Sequence, residues 1–134
     1  MSKILPSKPQ PNENGSGIWN ETTASKRYRF VTRTGNNLTY ADNNTTFVVG
    51  VTQEEGVAQN APIAYCHAHG KVVFVETTGA VTANTFGQAT TDGKATTYSA
   101  GTNKYVACRF LETVTAAGIV PAILYVGTFG AVTV

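Results

Sequence analysis

The chain has 134 residues, a formal net charge of +2 and only 13% charged residues. This length suits one domain with a core of modest size. The sequence carries neither an apolar N-terminal signal region nor an apolar run of membrane-spanning length, so we expect a protein that is made in the cytosol and has no membrane partner.

Side-chain shape favours an all-β fold. Thr, Val and Ile together supply 41 residues, against 4 Leu and 1 Met. These β-branched side chains lose χ1 freedom in a helix and pack well on a pleated sheet. The two cysteines, Cys66 and Cys108, lie in strand-like runs and are too few for a disulfide scaffold. We therefore expect both to be reduced and buried in the core.

Residues 1–25 differ in composition from the rest of the chain. Their three prolines, Pro6, Pro9 and Pro11, lack a backbone donor, and a cluster of Asn, Gly and Ser favours turns. The sizeable apolar residues of the segment are Ile4, Leu5, Ile18 and Trp19. So little apolar area cannot offset an ordering entropy of about 1–2 kcal/mol per residue, so we predict an extended N-terminal arm that binds other chains. The alternative is an arm that lies along its own domain.

Residues 26–134 are predicted to form a single all-β domain, which opens with a strand at residues 26–33, KRYRFVTR. Alternate side chains of a strand face opposite sides, so Tyr28 and Phe30 would point into the core while three cations form a basic stripe. The stripe consists of Arg27, Arg29 and Arg33. Because the rings point away from the cations and the remaining domain is net acidic, we expect no nucleic-acid binding. The stripe either contacts an acidic protein surface or is a solvated strand face.

A hairpin is predicted between Ala89 and Thr97, because the pair Asp92-Gly93 accepts the positive φ values of a type I′ turn. Further strands are predicted at residues 45–52, with Phe47, Val49 and Val51 on one face, and at residues 61–66, 71–76, 104–113 and 119–126. About eight short strands with regular turns predict a small β-barrel or β-sandwich.

Two of these strands carry positional signals. The Val72–Val75 run is apolar on both faces, which predicts a central strand that is covered on each side. Pro121 cannot donate to a ladder, so it predicts a sheet edge or a bulge in the last strand.

The chain offers little that a chemical step could use. Cys66, His67 and His69 have the residue types of metal ligands, but a zinc site needs three or four converging ligands and no second motif accompanies them. Glu54 and Glu55 are adjacent, so they would diverge in an extended segment, and no catalytic signature surrounds them. We therefore expect no metal, no cofactor and no enzymatic activity.

The segment from Gly87 to Tyr125 resembles the phage capsid cement or decoration proteins. The resemblance is carried by the turn unit GQATTDGKATTYSAG, the block VACRFLETVTAAG and the closing strand IVPAILYV. In that family, a small all-β domain has a hairpin of the ATTDGK type, a late strand similar to GRFLE, a small Ala and Gly turn, and an apolar last strand.

The resemblance implies a virion protein, made in the host cytoplasm, that binds the outer surface of an icosahedral head as a homotrimer and stabilises the mature shell. Its partner would be the major capsid protein of the same virion. We assign the capsid contacts to the arm and the basic stripe, that is, to Ile4, Leu5, Ile18, Trp19, Arg27, Arg29 and Arg33. The alternative function is the carbohydrate- or receptor-binding head of a phage fibre or spike, in which exposed aromatic rings would stack on sugars.

Overall fold

Ten β-strands make up the fold in the computed structural model, which describes residues 14–129. The strands are β1 (Asn14–Trp19), β2 (Phe30–Thr34), β3 (Asn37–Tyr40), β4 (Gly50–Thr52), β5 (Pro62–Cys66), β6 (Val72–Glu76), β7 (Phe86–Ala89), β8 (Ala95–Thr97), β9 (Tyr105–Phe110) and β10 (Ile119–Phe129). They form a closed barrel in the order β1-β3-β2-β4-β5 and a second, five-stranded sheet in the order β6-β10-β9-β7-β8. The structure confirms the predicted small all-β fold.

Strand β1 closes the barrel between β5 and β3. It pairs antiparallel with β5 and parallel with β3, where Trp19 lies opposite Leu38. The Trp19 side chain is fully buried, and its indole Nε1 donates a 2.9 Å hydrogen bond to the carbonyl oxygen of Thr23. It packs in a cluster formed by barrel residues, namely Val31, Leu38, Tyr40, Ile63 and Tyr65. Strand β1 is therefore an integral part of the barrel core.

This placement corrects the predicted boundary between arm and domain at residue 25. Strand β1 begins at Asn14, and after it Ser25 is buried, with its Oγ donating a 2.8 Å hydrogen bond to the carbonyl oxygen of Glu54. The backbone of residues 14–25 thus finds its ordering contacts within its own chain, which is why the prediction of an arm is wrong for this part. Residues 1–13, with Ile4 and Leu5, lie outside the described residues.

The second sheet packs its inner face against the barrel. Val75 and Leu124 of the sheet are fully buried in one cluster with Phe30 of the barrel. Cys66 and Cys108 lie in the same cluster, one from each sheet, and no disulfide joins them. The prediction of reduced core cysteines is confirmed.

The hairpin that joins β7 to β8 has the predicted turn. Asp92 and Gly93 have φ values of 56° and 72°, and the N–H of Lys94 donates a 3.2 Å hydrogen bond to the carbonyl oxygen of Thr91, as a type I′ turn requires. A Cβ at Gly93 would collide with the carbonyl oxygen of Phe30. Glycine is therefore needed both for the turn and for its close contact with the barrel.

The order of the second sheet corrects both positional predictions. Strand β6 lies at the edge of the sheet instead of its centre, whereas β10 lies between β6 and β9. Pro121 therefore occupies an inner strand. It is tolerated because its missing N–H falls beyond the end of β9 at Phe110, where the carbonyl oxygen of Pro121 still accepts a 3.0 Å hydrogen bond from the Leu111 N–H and one reciprocal bond alone is lost. The β10 irregularity falls instead between Leu124 and Thr128.

The predicted strand at residues 45–52 is shorter in the structure, because only Gly50–Thr52 pairs as β4. Val51 is buried as expected, but Phe47 is 47% exposed and Val48 is the buried residue next to it. The regular alternation predicted for this segment is therefore wrong before β4 begins. None of the helical turns in residues 14–129 is long and apolar enough to span a membrane.

Candidate functional site

The three arginines of the predicted basic stripe do not share a face. Tyr28 has a positive φ of 67°, which breaks the strand alternation before β2 begins at Phe30. Arg29 turns inward and is 7% exposed, whereas Arg27 and Arg33 are exposed. The predictions of a continuous stripe and of Tyr28 as a core residue are therefore wrong.

Arg29 joins the barrel to the second sheet. Its Nη2 and Nε lie 3.1 and 3.3 Å from Glu76 Oε1, and its Nη1 donates a 3.0 Å hydrogen bond to the carbonyl oxygen of Asp92. Lys94 Nζ lies 4.0 Å from the other carboxylate oxygen of Glu76. Because its guanidinium is buried and already bound by the second sheet, Arg29 has an internal role and is removed from the candidate capsid contacts.

The two exposed arginines have different surroundings. The Arg27 guanidinium carbon lies 5.1 Å from the centre of the Tyr28 ring. The Arg27 backbone N–H, together with the Lys26 ammonium, holds the pKa of the Glu55 carboxyl below its usual value. Arg33 donates hydrogen bonds to four oxygens, the backbone carbonyls of Gly35 and Ser16 and the side chains of Tyr65 and Asn36. Arg27 is thus the stripe residue whose guanidinium is most available to a partner.

Neither of the arm residues within the described range presents a large apolar surface. Trp19 has no exposed area, and Ile18 is half-buried in β1. Trp19 is therefore a core residue, and its assignment as a capsid contact is wrong. The predicted set of contacts does not come together as one site.

A polar cavity of about 450 Å³ opens where the barrel meets the β7-β8 turn. Tyr40 lines this cavity. Its hydroxyl oxygen accepts a 3.2 Å hydrogen bond from the backbone N–H of Lys26, and the backbone N–H of Tyr40 donates a 3.0 Å hydrogen bond to Glu21 Oε2. Burial raises the pKa of the Tyr40 hydroxyl above its ordinary value. The cavity has a lining of mixed charge, and three hydrogen bonds join its lining residues to one another, Lys26 to Tyr40, Tyr40 to Glu21 and Arg29 to Asp92.

His67 and His69 each contact the ring of a tyrosine. His69 stacks on the ring of Tyr125 with centroids 5.5 Å apart, and its Nδ1 accepts a 3.0 Å hydrogen bond from the N–H of Val126. His67 lies 6.2 Å from Tyr65, ring to ring. Across residues 14–129, no group of three or more His, Cys, Asp or Glu residues is placed to hold a metal ion.

The side of the second sheet that points away from the barrel carries an apolar surface. Opposed residues of an antiparallel pair share a face, and the register aligns Phe86 with Arg109 and Arg109 with Ile123. Tyr98 joins this row, because its N–H donates a 2.9 Å hydrogen bond to the carbonyl oxygen of Phe86. Phe86 is 48% exposed and Ile119, on the same face of β10, is 52% exposed. The outer sheet face is defined by Phe86, Tyr98, Arg109, Ile119, Ile123 and Tyr125.

Sequence reasoning did not single out the outer sheet face. The signal that could have found it is the run IVPAILYV, which is apolar on both faces of β10, although the core cluster takes in only the face that carries Val120, Ala122 and Leu124. Outward apolar residues on a covered sheet indicate a second contact surface.

The comparisons with known proteins concern the fold. No protein-family model matches the sequence, and no curated protein sequence is detectably similar to it. Among solved structures, the chain is similar to the N base of the head fiber gp8.5 of bacteriophage phi29, with a TM-score of 0.65 and 10% sequence identity. The superposition covers 88% of this chain and 98% of that chain. The two chains therefore share one fold over nearly their whole lengths.

Proposed function

We propose that this chain is a phage head-associated protein that decorates the outer surface of an icosahedral head. The observation that carries the proposal is the fold shared with the head fiber base, which extends over 88% of this chain and 98% of that one. The name of that protein places it on a phage head, as the base of a fiber. The separate resemblance of residues 87–125 to capsid cement proteins points to the same location.

The finer proposal is a homotrimer that binds the major capsid protein and stabilises the mature shell. A protein that binds the mature shell and not its precursor stabilises the mature form by mass action. Attachment through three subunits raises the effective concentration of each contact, so individually weak contacts suffice. A rigid barrel and sheet with few charges fit a role of passive attachment.

The contacts proposed for the shell are revised by the structure. Residues 1–13, with Ile4 and Leu5, remain the proposed anchor, and Arg27 remains the proposed exposed cation. Trp19 and Arg29 are excluded because both are buried.

The experiment that tests this function adds purified protein to heads from a phage that lacks the gene for this chain. We expect saturable binding to the heads and none to isolated tails. Binding to tails or to host-cell polysaccharide, with none to the heads, would refute the proposal and favour the receptor-binding alternative.

A further inference from the structure

Two buried polar atoms of the described residues have no hydrogen-bond partner, and both belong to the outer sheet face. They are the Nε of Arg109 and the hydroxyl oxygen of Tyr98. Both residues lie in the row that crosses the sheet through Phe86, so Phe86, which is 48% exposed, stands between them. Both unpartnered atoms therefore lie in one row of residues on the outer sheet face, the row that contains Arg109, Phe86 and Tyr98.

Arg109 is a permanently charged side chain in an apolar setting. Its neighbours across the sheet are Phe86 on β7 and Ile123 on β10, and its guanidinium forms no ion pair within the described residues. A guanidinium has five N–H donors and no acceptor. Buried polar groups are nearly always bonded, so a half-buried arginine without a counter-charge lacks the acceptor that such a position normally has.

The surroundings of Arg109 have the composition of a protein interface. Aromatic residues and arginine are enriched at the centres of interfaces, and the outer sheet face supplies Phe86, Tyr125 and Arg109 together with exposed Ile119. The ring of Tyr125 lies 6.1 Å from that of Phe86 and is stacked on His69. Stacking restricts the rings before any partner arrives, which lowers the entropic cost of binding.

We infer that the outer sheet face docks onto a protein surface that presents a carboxylate among apolar side chains, and that this carboxylate binds Arg109. The inference rests on the proposed function, because the partner is then the capsid shell. Side-chain rotamers commonly change at interfaces while the backbone stays in place. Phe86 lies between Arg109 and Tyr98 in the row, so a change of its rotamer on docking would change the access of the shell to both residues.

The carboxylates of the described residues are mostly engaged in hydrogen bonds within the chain, which favours the shell over a second copy as the partner of the outer sheet face. Most carboxylates of the described residues already accept hydrogen bonds in their own chain, namely those of Glu21, Glu54, Glu55 and Glu76. A second copy therefore has few carboxylates to offer Arg109, whereas a different protein has no such limit.

The test compares two variants in binding to heads that lack the protein. The double variant Tyr98→Phe with Arg109→Met removes both unpartnered donors and preserves shape. The control, Lys26→Gln, removes the same charge from a barrel residue that is paired with Glu55. We expect the double variant to bind at least about tenfold more weakly, the control to stay within about twofold of the wild type, and the melting temperature of the double variant to be unchanged or higher.

A third variant, Phe86→Ala, keeps the charge of Arg109 and removes the exposed ring, and we expect a loss of affinity similar to that of the double variant. Wild-type affinity in the double variant overturns the inference, and so does an equal loss in the control, which would indicate general charge attraction. Conversion of a self-associated wild type into a monomer by the double variant would identify a second copy as the occupant and overturn the choice of partner. Failure of the wild type itself to bind heads counts against the proposed function instead.

Discussion

Replacement of Trp19 by alanine tests whether β1 belongs to the folded domain. Trp19 is fully buried in the barrel, and truncation of a buried Trp to Ala costs about 3–5 kcal/mol through lost burial and the cavity left behind. A domain has about 5–15 kcal/mol of stability in total, so the variant should lose about a fifth of it or more. For a chain of this size, we expect the melting temperature to fall by about 12–20 °C.

The assay is urea and thermal unfolding followed by far-ultraviolet circular dichroism, because Trp19 is the only tryptophan of the chain and the variant loses its fluorescence. Phe86→Ala is the matched control, since Phe86 is 48% exposed, and it should lose less than about 1 kcal/mol. The wild-type emission should be blue-shifted in the native state. A Trp19→Ala variant that loses less than about 1 kcal/mol would refute the reasoning and restore the arm that the sequence suggested.

Three further predictions concern single contacts. Gly93→Ala should lower the free energy of unfolding by more than about 2 kcal/mol in the same assay, because alanine is strained at a φ of 72° and its Cβ would meet the barrel backbone. A loss below about 0.5 kcal/mol would contradict the packing of the hairpin against the barrel. Arg29→Gln should lower the free energy of unfolding by roughly 2–3 kcal/mol, which is less than for a fully buried ion pair because Glu76 is partly exposed. The control Arg27→Gln should change it by no more than about 0.5 kcal/mol. Equal losses in the two variants would disprove the internal role of Arg29. Burial raises the pKa of the Cys108 thiol, so Ellman's reagent should leave Cys108 unmodified in the native protein at pH 8 and react after unfolding; rapid native labelling of Cys108 would show that the core is open there.

Local turn chemistry and strand composition were enough to predict one hairpin turn and several strands of both the barrel and the second sheet. The Asp92-Gly93 turn depends on two residues that tolerate positive φ, so it can be read without knowledge of the rest of the chain. The strands near residues 61–66, 71–76 and 119–126 are continuous β-branched or apolar runs, and the structure has β5, β6 and β10 there. The order of the strands in the two sheets could not be predicted from these runs, because it depends on contacts between segments that are far apart in the sequence.

Strand β1 was missed because its sequence, NGSGIW, contains little apolar volume. The apolar volume at this position comes from the neighbouring strand β5, since the ring of Tyr65 occupies the place where a Cβ of Gly15 would lie. A small residue in a strand thus indicates a close approach by a neighbour as readily as a turn. Composition alone does not distinguish the two.

The predicted site depended on one regular strand at residues 26–33. A single positive φ at Tyr28 turned Arg29 into the protein and separated it from Arg27 and Arg33. Aromatic residues seldom adopt this conformation, so no sequence rule would have placed the break there. The outer sheet face was missed for the related reason that its residues come from strands β7 to β10 and meet only in the folded sheet.

The measurement that tests the central claim most directly is the copy number of this chain in purified virions, separated into heads and tails and quantified by mass spectrometry against the major capsid protein. The account predicts that the chain is found in the head fraction, at high copy number and in a constant ratio to the major capsid protein. Its absence from virions, or its presence at a few copies in the tail fraction alone, would contradict the account.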